Sequence, residues 1–392
     1  MPPGTVITEG STKILVPEKH SVHGPGTIVP GTVFFNEQMA FNRDVSVMLL
    51  RALENPKMKV ADAMTASGSR AVRIANEVPG TDVVANDFDE AAIPYIEANI
   101  QLNNLTNCRA NHADMRVLMA GDSFDYVDLD PFGSPSLFIQ PAIGGCRKHA
   151  VLAVTATDTA PLAGAQLGKC RRRYQCEPVR GYMCHEGGLR ILMCNIAREL
   201  GKFDMGMRPL LSFYADHYYR TYVQLVPGTD ACDEMLSHLQ YMKYDRETLE
   251  RGLSPTYDKE HPLGPFWTGN LFDKELIAKM RPEGMAAERK CAKMLALWNS
   301  EVDTTPFLYD MSELSSFTKV SPPNLDEFVA KLNEVAPTSK THFSPTSFVT
   351  ELSSEEVISM YREAGHRTPP KEERWPASPR ACGPSPSRRE GC

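Results

Sequence analysis

Asp128-Leu129-Asp130-Pro131-Phe132-Gly133-Ser134-Pro135 follows the apolar, strand-like run Phe124 to Val127 and precedes the helix-like stretch Leu137 to Ile143. A carboxylate, a proline and an aromatic ring therefore stand where a strand ends and a loop turns. In open α/β sheets that junction holds the ligand, which docks in the crevice outside the carboxyl ends of the strands. The residue types suit alkylation of an exocyclic base amine, a poor nucleophile because its lone pair is delocalised into the ring. Asp130 can accept one amine hydrogen. The carbonyl of Asp130 or Pro131 can accept another, since an X-Pro step keeps its backbone extended. Phe132 can stack on the flat face of the base. The same stretch also reads as a plain turn after a buried strand, so the rest of the chain has to decide.

Working outward, apolar runs at 58 to 64, 81 to 86, 124 to 129 and 149 to 156 alternate with helical stretches at 69 to 77, 89 to 102 and 136 to 143. A weaker strand and helix lie between 106 and 120. This spacing predicts a Rossmann-like α/β domain with a mostly parallel sheet covered on both faces. His185 to Gly201 reads as a further amphipathic helix. Pro209 to Ala215 and Tyr218 to Val226 read as two strands joined by a short turn, an antiparallel addition at the sheet edge. Residues 1 to 36, punctuated by Gly24-Pro25-Gly26 and Pro30-Gly31, read as an N-terminal extension of short strands laid over this domain. Residues 1–228 form the first predicted domain. Residues 229–368 are more charged, with shorter helical stretches at 273 to 281, 286 to 299 and 324 to 335, and read as a smaller mixed α+β domain. Residues 369–392, rich in Pro, Ser and Arg without apolar periodicity, are predicted to be a disordered tail.

A chain of 392 residues, 42% hydrophobic and 23% charged, has the composition of a globular protein large enough for two cores. It has no uncharged apolar stretch of membrane-spanning length, and Met1-Pro2-Pro3-Gly4 does not resemble a signal peptide. No membrane association is expected. The expected location is the cytoplasm, with the nucleus or an organelle as alternatives in a eukaryotic cell. Ten cysteines never come as C-x-x-C, and reduced thiols are expected. Cys170, Cys176, Cys184 and Cys194 cluster in sequence at gaps that fit no common zinc pattern.

The net charge of −7 argues against a globally basic nucleic-acid binder, but the average conceals a pattern. Residues 141 to 225 hold 12 Lys/Arg against 6 Asp/Glu, between two acidic flanks. Such asymmetry points to a polyanion-binding face.

Asp62-Ala63-Met64-Thr65-Ala66-Ser67-Gly68-Ser69-Arg70 closes the first strand and opens a helix. Gly68 is its one glycine, too few for the pyrophosphate turn of a nicotinamide or flavin cofactor. S-adenosylmethionine has no phosphate, so this loop suffices for it. Asp87, at the end of the second strand, is placed to bind both ribose hydroxyls of an adenosyl group. Asp114, after the third, could accept from the adenine amine. Each aspartate could also be a mere helix cap. In this order, and followed by Asp130-Pro131-Phe132, they point to a class I methyltransferase.

On these residues the chain resembles the tRNA (guanine-26-N2)-dimethyltransferase family. The matching stretches are Phe34-Phe35-Asn36-x-x-Met39-x-x-Asn42-Arg43-Asp44, Ser67-Gly68-Ser69-Arg70, Asn86-Asp87, the Asp128 to Pro135 block, His185-Glu186-x-Gly188-Leu189-Arg190, His217-Tyr218-Tyr219-Arg220, Gly264-Pro265-x-Trp267 and Thr341-His342-Phe343-Ser344-Pro345-Thr346. The resemblance implies S-adenosylmethionine as methyl donor and N2 of a tRNA guanine as acceptor, modified once or twice. It implies that Arg43, Arg70, Asp87 and Asp114 contact the cofactor, with Met115 beside the adenine through its backbone. Asp130, Pro131, Phe132 and Phe34 would hold the flipped guanine; by pattern alone Phe34 reads as a core residue. Many members carry a four-cysteine zinc site after the His-Tyr-Tyr-Arg strand. Between Val226 and His261 this chain has only Cys232, so no metal is expected.

Lys169, Arg171, Arg172, Arg173, Arg180 and Arg190 are the expected contacts to tRNA phosphates, which position the RNA without specifying the base. Arg171 to Arg173 could instead be a solvated loop or pair with Glu177 and Glu186. Two rival functions share the pattern: an amino-methyltransferase acting on adenine or cytosine in DNA or another RNA, and a tRNA-binding protein or folding helper that holds cofactor without transferring.

Overall fold

The computed structural model describes residues 1–18, 33–303 and 306–365. The Gly24-Pro25-Gly26 and Pro30-Gly31 turns and the expected tail at 369–392 lie outside the described residues.

The chain opens with an antiparallel hairpin, β1 (Thr5–Glu9) and β2 (Thr12–Val16), turned at Gly10 with φ +58°. A long buried helix follows, α1 (Ala40–Ala52). The αβ alternation then runs β3 (Met58–Asp62), α2 (Ser69–Glu77), β4 (Thr81–Asp87), α3 (Ile93–Leu102), β5 (Cys108–His112), α4 (Met115–Gly121), β6 (Phe124–Leu129), α5 (Ser136–Gly144) and β7 (Cys146–Ala156). Beyond it come α6 (Thr159–Leu162), α7 (Leu167–Tyr174) and α8 (Cys184–Gly201), then β8 (Met205–Ala215) and β9 (Tyr218–Pro227). These strands form one seven-stranded sheet in the order β5-β4-β3-β6-β7-β9-β8.

The registers explain why the sequence alternates as it does. β3 pairs in parallel with β4 and β6, so its residues are covered on both faces and Val60 and Ala61 are fully buried. β9 is antiparallel to both β7 and β8. The expected edge hairpin is present, with its second strand inserted inside the sheet and its first outermost. Arg220 is the third residue of β9 and is fully buried. A guanidinium there needs a carboxylate beneath it.

The C-terminal half continues with α9 (Thr229–Ser237), a three-stranded sheet of β10 (Leu239–Tyr244), β11 (Arg251–Ser254) and β12 (Leu263–Trp267), and the helices α10 (Lys274–Lys279) and α11 (Glu288–Ser300). Ile277, Met280, Leu295 and Trp298 of α10, α11 and the turn between them belong to the same core as the seven-stranded sheet; Trp298 lies 4.9 Å from the Phe213 ring. A separate apolar cluster, including Tyr309, Leu314, Phe328, Phe348 and Tyr361, is built by β13 (Tyr309–Asp310), α12 (Met311–Thr318), α13 (Leu325–Asn333), β14 (Thr338–Lys340), β15 (Ser347–Thr350) and α14 (Ser354–Ala364). Packing thus divides the chain later than the change in composition at residue 229 suggests.

The N-terminal hairpin is clamped to the helices by charge. Arg73, fully buried, bonds Asp44 at 2.6 Å and Glu77 at 2.9 Å and approaches Glu9 at 3.4 Å. Asn99 of α3 accepts from the Leu15 N–H and donates to the Leu15 carbonyl. Among the described residues no helix is long and apolar enough to cross a membrane, and no three His, Cys, Asp or Glu side chains are grouped to hold a metal.

Candidate active site

Four strands, β3, β4, β5 and β6, deliver their carboxyl ends to one edge of the sheet, and a cavity of about 510 Å³ opens there. Its wall gathers Asp62, Ser67 and Arg70 from the β3–α2 turn, Asp87 and Phe88 after β4, Asp114 and Met115 at the start of α4, and Asp130, Pro131 and Phe132 after β6. Phe34 and Arg43 close it from the N-terminal side. A larger, more open concavity of about 1010 Å³ lies in the C-terminal lobe around Arg251, Tyr309 and Arg362. Of the two, the smaller cavity is the candidate for chemistry, because it collects aspartates at parallel strand ends beside exposed aromatic rings.

The β3–α2 turn is shaped by backbone geometry. Gly68 has φ +80°, and a Cβ there would come within 3.3 Å of Ile96. Glycine serves at this position because other residues resist that conformation. Asp87 accepts from the Ala66 N–H at 2.7 Å and from the Asp89 N–H at 2.9 Å, so it braces the turn while lining the cavity. Asp114 caps α4, accepting from the Arg116 N–H at 2.7 Å, and Met115 follows it, buried. The cap and the cavity-lining positions thus coincide in one residue.

Beneath the cavity floor lies a buried charge cluster. Arg70 donates to Asp128 through Nη1, and through Nη2 to Asp130 at 2.5 Å and to Asn42 at 2.9 Å. Arg220 grips Asp128 from the far side, Nη1 to Oδ1 at 3.0 Å and Nη2 to Oδ2 at 2.6 Å, and Tyr126 donates to the same carboxylate at 2.7 Å. Burial works to raise the pKa of Asp128, but Arg220 and Arg70 outweigh it and hold the group below the usual carboxylate range. Burial likewise opposes the charge on Arg70, and Asp128 and Asp130 overcome it and raise its pKa. Arg70 is therefore a permanent cation bridging two carboxylates. Among the described residues Asp130 accepts its side-chain hydrogen bond through Oδ2, which leaves Oδ1 available at the cavity wall.

Phe132 is 58% exposed and meets Phe34 edge to face, with ring centroids 4.7 Å apart and planes at 89°. The loop carrying Phe132 is tied down behind: Gly133 has φ +79°, its N–H donates to Thr157 Oγ1 at 2.8 Å, and Ser134 donates to the Tyr174 hydroxyl at 2.8 Å. Tyr174 in turn donates to Asp158 at 2.6 Å.

The structure brings Phe34, Arg43, Arg70, Asp87, Asp114, Met115, Asp130, Pro131 and Phe132 to one cavity, with Gly68 in the turn that shapes it. Arg43 has a protein partner as well: its Nε and Nη2 bond Glu9 at 2.8 and 2.5 Å. Lys169, Arg171, Arg172 and Arg173 lie on α7 and Arg180 after it, all outside the cavity and exposed. Arg171 pairs with Glu177 at 2.7 Å and Arg173 with Asp158 at 3.0 Å. Arg190 departs from expectation. It is buried in α8, bonded to Glu186 at 2.8 Å and to the Trp267 and Gly269 carbonyls, and cannot reach a phosphate. Its charge is spent joining α8 to the end of β12. Sequence reading missed Phe88, 74% exposed on the cavity rim, and the role of Arg220. A lone charged residue inside the strand-like run Tyr218 to Val226 was the available signal for the second.

The sheet order, with one antiparallel strand next to the last, and the acidic cavity at its switch point define a class I methyltransferase. The family model of N2,N2-dimethylguanosine tRNA methyltransferase matches residues 10–362, and the chain belongs to that family. It is 37% identical over 378 residues to the tRNA (guanine(26)-N(2))-dimethyltransferase of Pyrococcus horikoshii, covering 90% of this chain and 96% of that protein. With the enzyme of the same description from Thermococcus kodakarensis it shares 38% identity over 370 residues, 88% of this chain and 95% of the relative. The solved structure of Trm1 from Pyrococcus horikoshii in complex with S-adenosyl-L-methionine superimposes with a TM-score of 0.83 at 34% identity, covering 91% of this chain and 99% of that one.

The cavity fits such a cofactor on its own terms. Its volume lies in the range of small-molecule sites. Ser67 Oγ and Arg70 Nε are buried beside it without a protein hydrogen-bond partner among the described residues. Buried polar atoms left without a protein partner are costly unless a ligand or water satisfies them.

Proposed function

We propose that this chain transfers methyl groups from S-adenosylmethionine to the exocyclic N2 amine of guanine 26 in tRNA, once or twice. The observation that carries the reading is Asp130, fixed by Arg70 at a strand end in the same cavity wall as the Phe34–Phe132 ring pair. When bound, S-adenosylmethionine supplies an electrophilic methyl on a sulfonium. Asp87 and Asp114 would hold its adenosine, with Met115 beside the adenine, and Arg43 and Arg70 would contact the remainder across the turn shaped by Gly68.

The guanine leaves its stack at a cost of a few kcal/mol. Phe132 offsets that by stacking on the base, roughly 1–3 kcal/mol for an aromatic contact, while Phe34, set at 89° to it, meets the edge of the base. Asp130 Oδ1 accepts one amine hydrogen and the carbonyl of Asp130 or Pro131 the other, which restores the nitrogen lone pair and aims it. Orientation and proximity do most of the work, because the positive charge passes from sulfur to nitrogen as the bond forms and no new charge is created. Asp130 or water takes the released proton.

Lys169, Arg172 and Arg180 form no ion pair among the described residues and are the freest phosphate contacts; Arg171 and Arg173 join them by exchanging partners. On this reading residues 1–228 carry the chemistry, residues 229–368 add to the grip on tRNA, and the enzyme works in the cytoplasm with its substrate. Incubation with S-adenosylmethionine and unmodified tRNA transcript, followed by nuclease digestion and mass spectrometry, tests it. The expected products are N2-methylated guanosines from the wild type, with turnover reduced at least about a hundredfold in Asp130→Ala. Methylation of adenine or cytosine, or cofactor and tRNA binding without transfer, would overturn it.

A further inference from the structure

Asp62 is a second buried carboxyl at the cavity, and its setting differs from that of its neighbour. In the parallel pairing of β3 with β6, Asp62 stands opposite Asp128. Asp128 has two guanidinium partners; Asp62 has no basic group within ion-pair distance among the described residues and accepts only from Thr65 Oγ1, at 2.6 Å. The charges around it balance without it: Arg70 and Arg220 neutralise Asp128 and Asp130. On β5, Cys108 feels the charge of Asp62 and stays a neutral thiol, which burial pushes up to about 12. Asp62 is 2% exposed, yet its residue forms part of the cavity wall. An extra buried negative charge with no cation is costly, and the group answers by binding a proton. Burial pushes Asp62 up to about 7; Arg70 and the Thr65 hydroxyl pull it down, and Asp128 and Asp130 add to the rise.

The two forms of the cofactor differ in charge. S-adenosylmethionine carries a carboxylate, an ammonium and a sulfonium, one net positive charge. S-adenosylhomocysteine lacks the sulfonium charge and is net neutral. We propose that Asp62 is the proton-exchanging counter-charge of this cavity: it gives up its proton when the cationic methyl donor enters and takes one back once transfer has removed the sulfonium charge. The inference rests on the cavity being the cofactor site. In the cycle the N–CH3 bond forms, the S–CH3 bond breaks with its electron pair staying on sulfur, and the amine proton leaves to Asp130 or water. The proton that Asp62 releases to solvent on binding is recovered from solvent after transfer, so the net reaction still liberates one.

The sign follows from linkage. A ligand that binds the ionised form better lowers the pKa, so its affinity rises with pH until the free group is ionised. Affinity for S-adenosylmethionine should rise about tenfold between pH 6 and pH 8, while that for S-adenosylhomocysteine stays flat. Calorimetric titration at pH 7 in two buffers of different ionisation enthalpy counts the protons directly. We expect about half a proton released per S-adenosylmethionine and none per S-adenosylhomocysteine. Asp62→Asn keeps an acceptor for Thr65 and should abolish the release. Thr65→Val, which removes the hydrogen bond to the carboxylate, should move the pH of half-release upward. Equal release for both ligands, or release that survives Asp62→Asn, overturns the proposal while leaving the cofactor assignment standing. Failure of either ligand to bind overturns both.

Discussion

Beneath the cavity, Arg70 and Arg220 are at most 6% exposed and share Asp128 between them. On α7, Arg171 and Arg173 also hold carboxylates, Glu177 and Asp158, but their own side chains are 61% and 42% exposed. The ionic groups are the same and their consequences are not. In the buried cluster each charge has been taken out of water and is held by several partners, so removing one leaves another stranded. On α7 water and salt screen the pairs, and such a pair contributes at most about 1 kcal/mol. The first region can therefore fix a geometry. The second can let go of its partners and take up others.

The largest effect should come from breaking the buried side. Arg220→Leu leaves Asp128 to Arg70 and Tyr126 alone, and it strips Thr155 Oγ1 and Ser46 Oγ of the donor they now share. Denaturant unfolding should show a loss of about 3–5 kcal/mol. Arg70, drawn further onto Asp128, should also hold Asp130 less well, so kcat should fall in whatever fraction stays folded. A loss below about 1 kcal/mol would mean that the buried cluster behaves like the surface pairs, and the contrast would collapse.

Between the two regions stands the aromatic pair. Phe132 is largely exposed and touches Phe34 by its edge, so little folding energy depends on it. Phe132→Ala should leave the melting temperature almost unchanged. It should lower kcat/KM for tRNA by roughly 1–3 kcal/mol in transition-state terms, on the order of tenfold to a hundredfold. A variant that unfolds instead would place Phe132 in the core, which is the reading that pattern alone gave its partner Phe34.

How far the molecule could be read from its sequence follows the same contrast. The strands β3, β4 and β6 announce themselves because a parallel strand buried on both faces must be a continuous apolar run. Asp87 and Asp130 were legible because each stands where such a run stops, whereas Asp114, after the polar strand β5, was legible only by its order between them. The charge cluster was not: nothing local says that Arg220, 92 residues after Asp128, will lie against it. Only the insertion of β9 beside β7 brings them together. The buried Arg190 misled for the opposite reason, since composition counts charges without knowing which are already paired. The hold of α10 and α11 on the main core was equally invisible, because shorter helices and more charge look like a new domain whichever surface the helices pack on.

The smallest expected effect lies on α7, and it is the one that separates a phosphate contact from a decorated helix face. Arg171→Ala with Arg172→Ala removes one arginine already paired with Glu177 and one with no ion-pair partner among the described residues. Stability should change by less than about 1 kcal/mol, as for other exposed pairs. If both reach RNA, the slope of log affinity against log salt should become shallower by roughly 1.4 to 1.8, because each phosphate contact releases about 0.7 to 0.9 of a counterion. If only Arg172 does, the change should be half that, since for Arg171 a phosphate contact would not offset the loss of Glu177. Single variants distinguish these cases. Tyr174, at the end of α7, is hydrogen-bonded to Ser134 in the loop that carries Phe132, so the helix also has a mechanical route to that ring. A double variant with an unchanged salt slope but a lower kcat would assign α7 to that route and not to RNA.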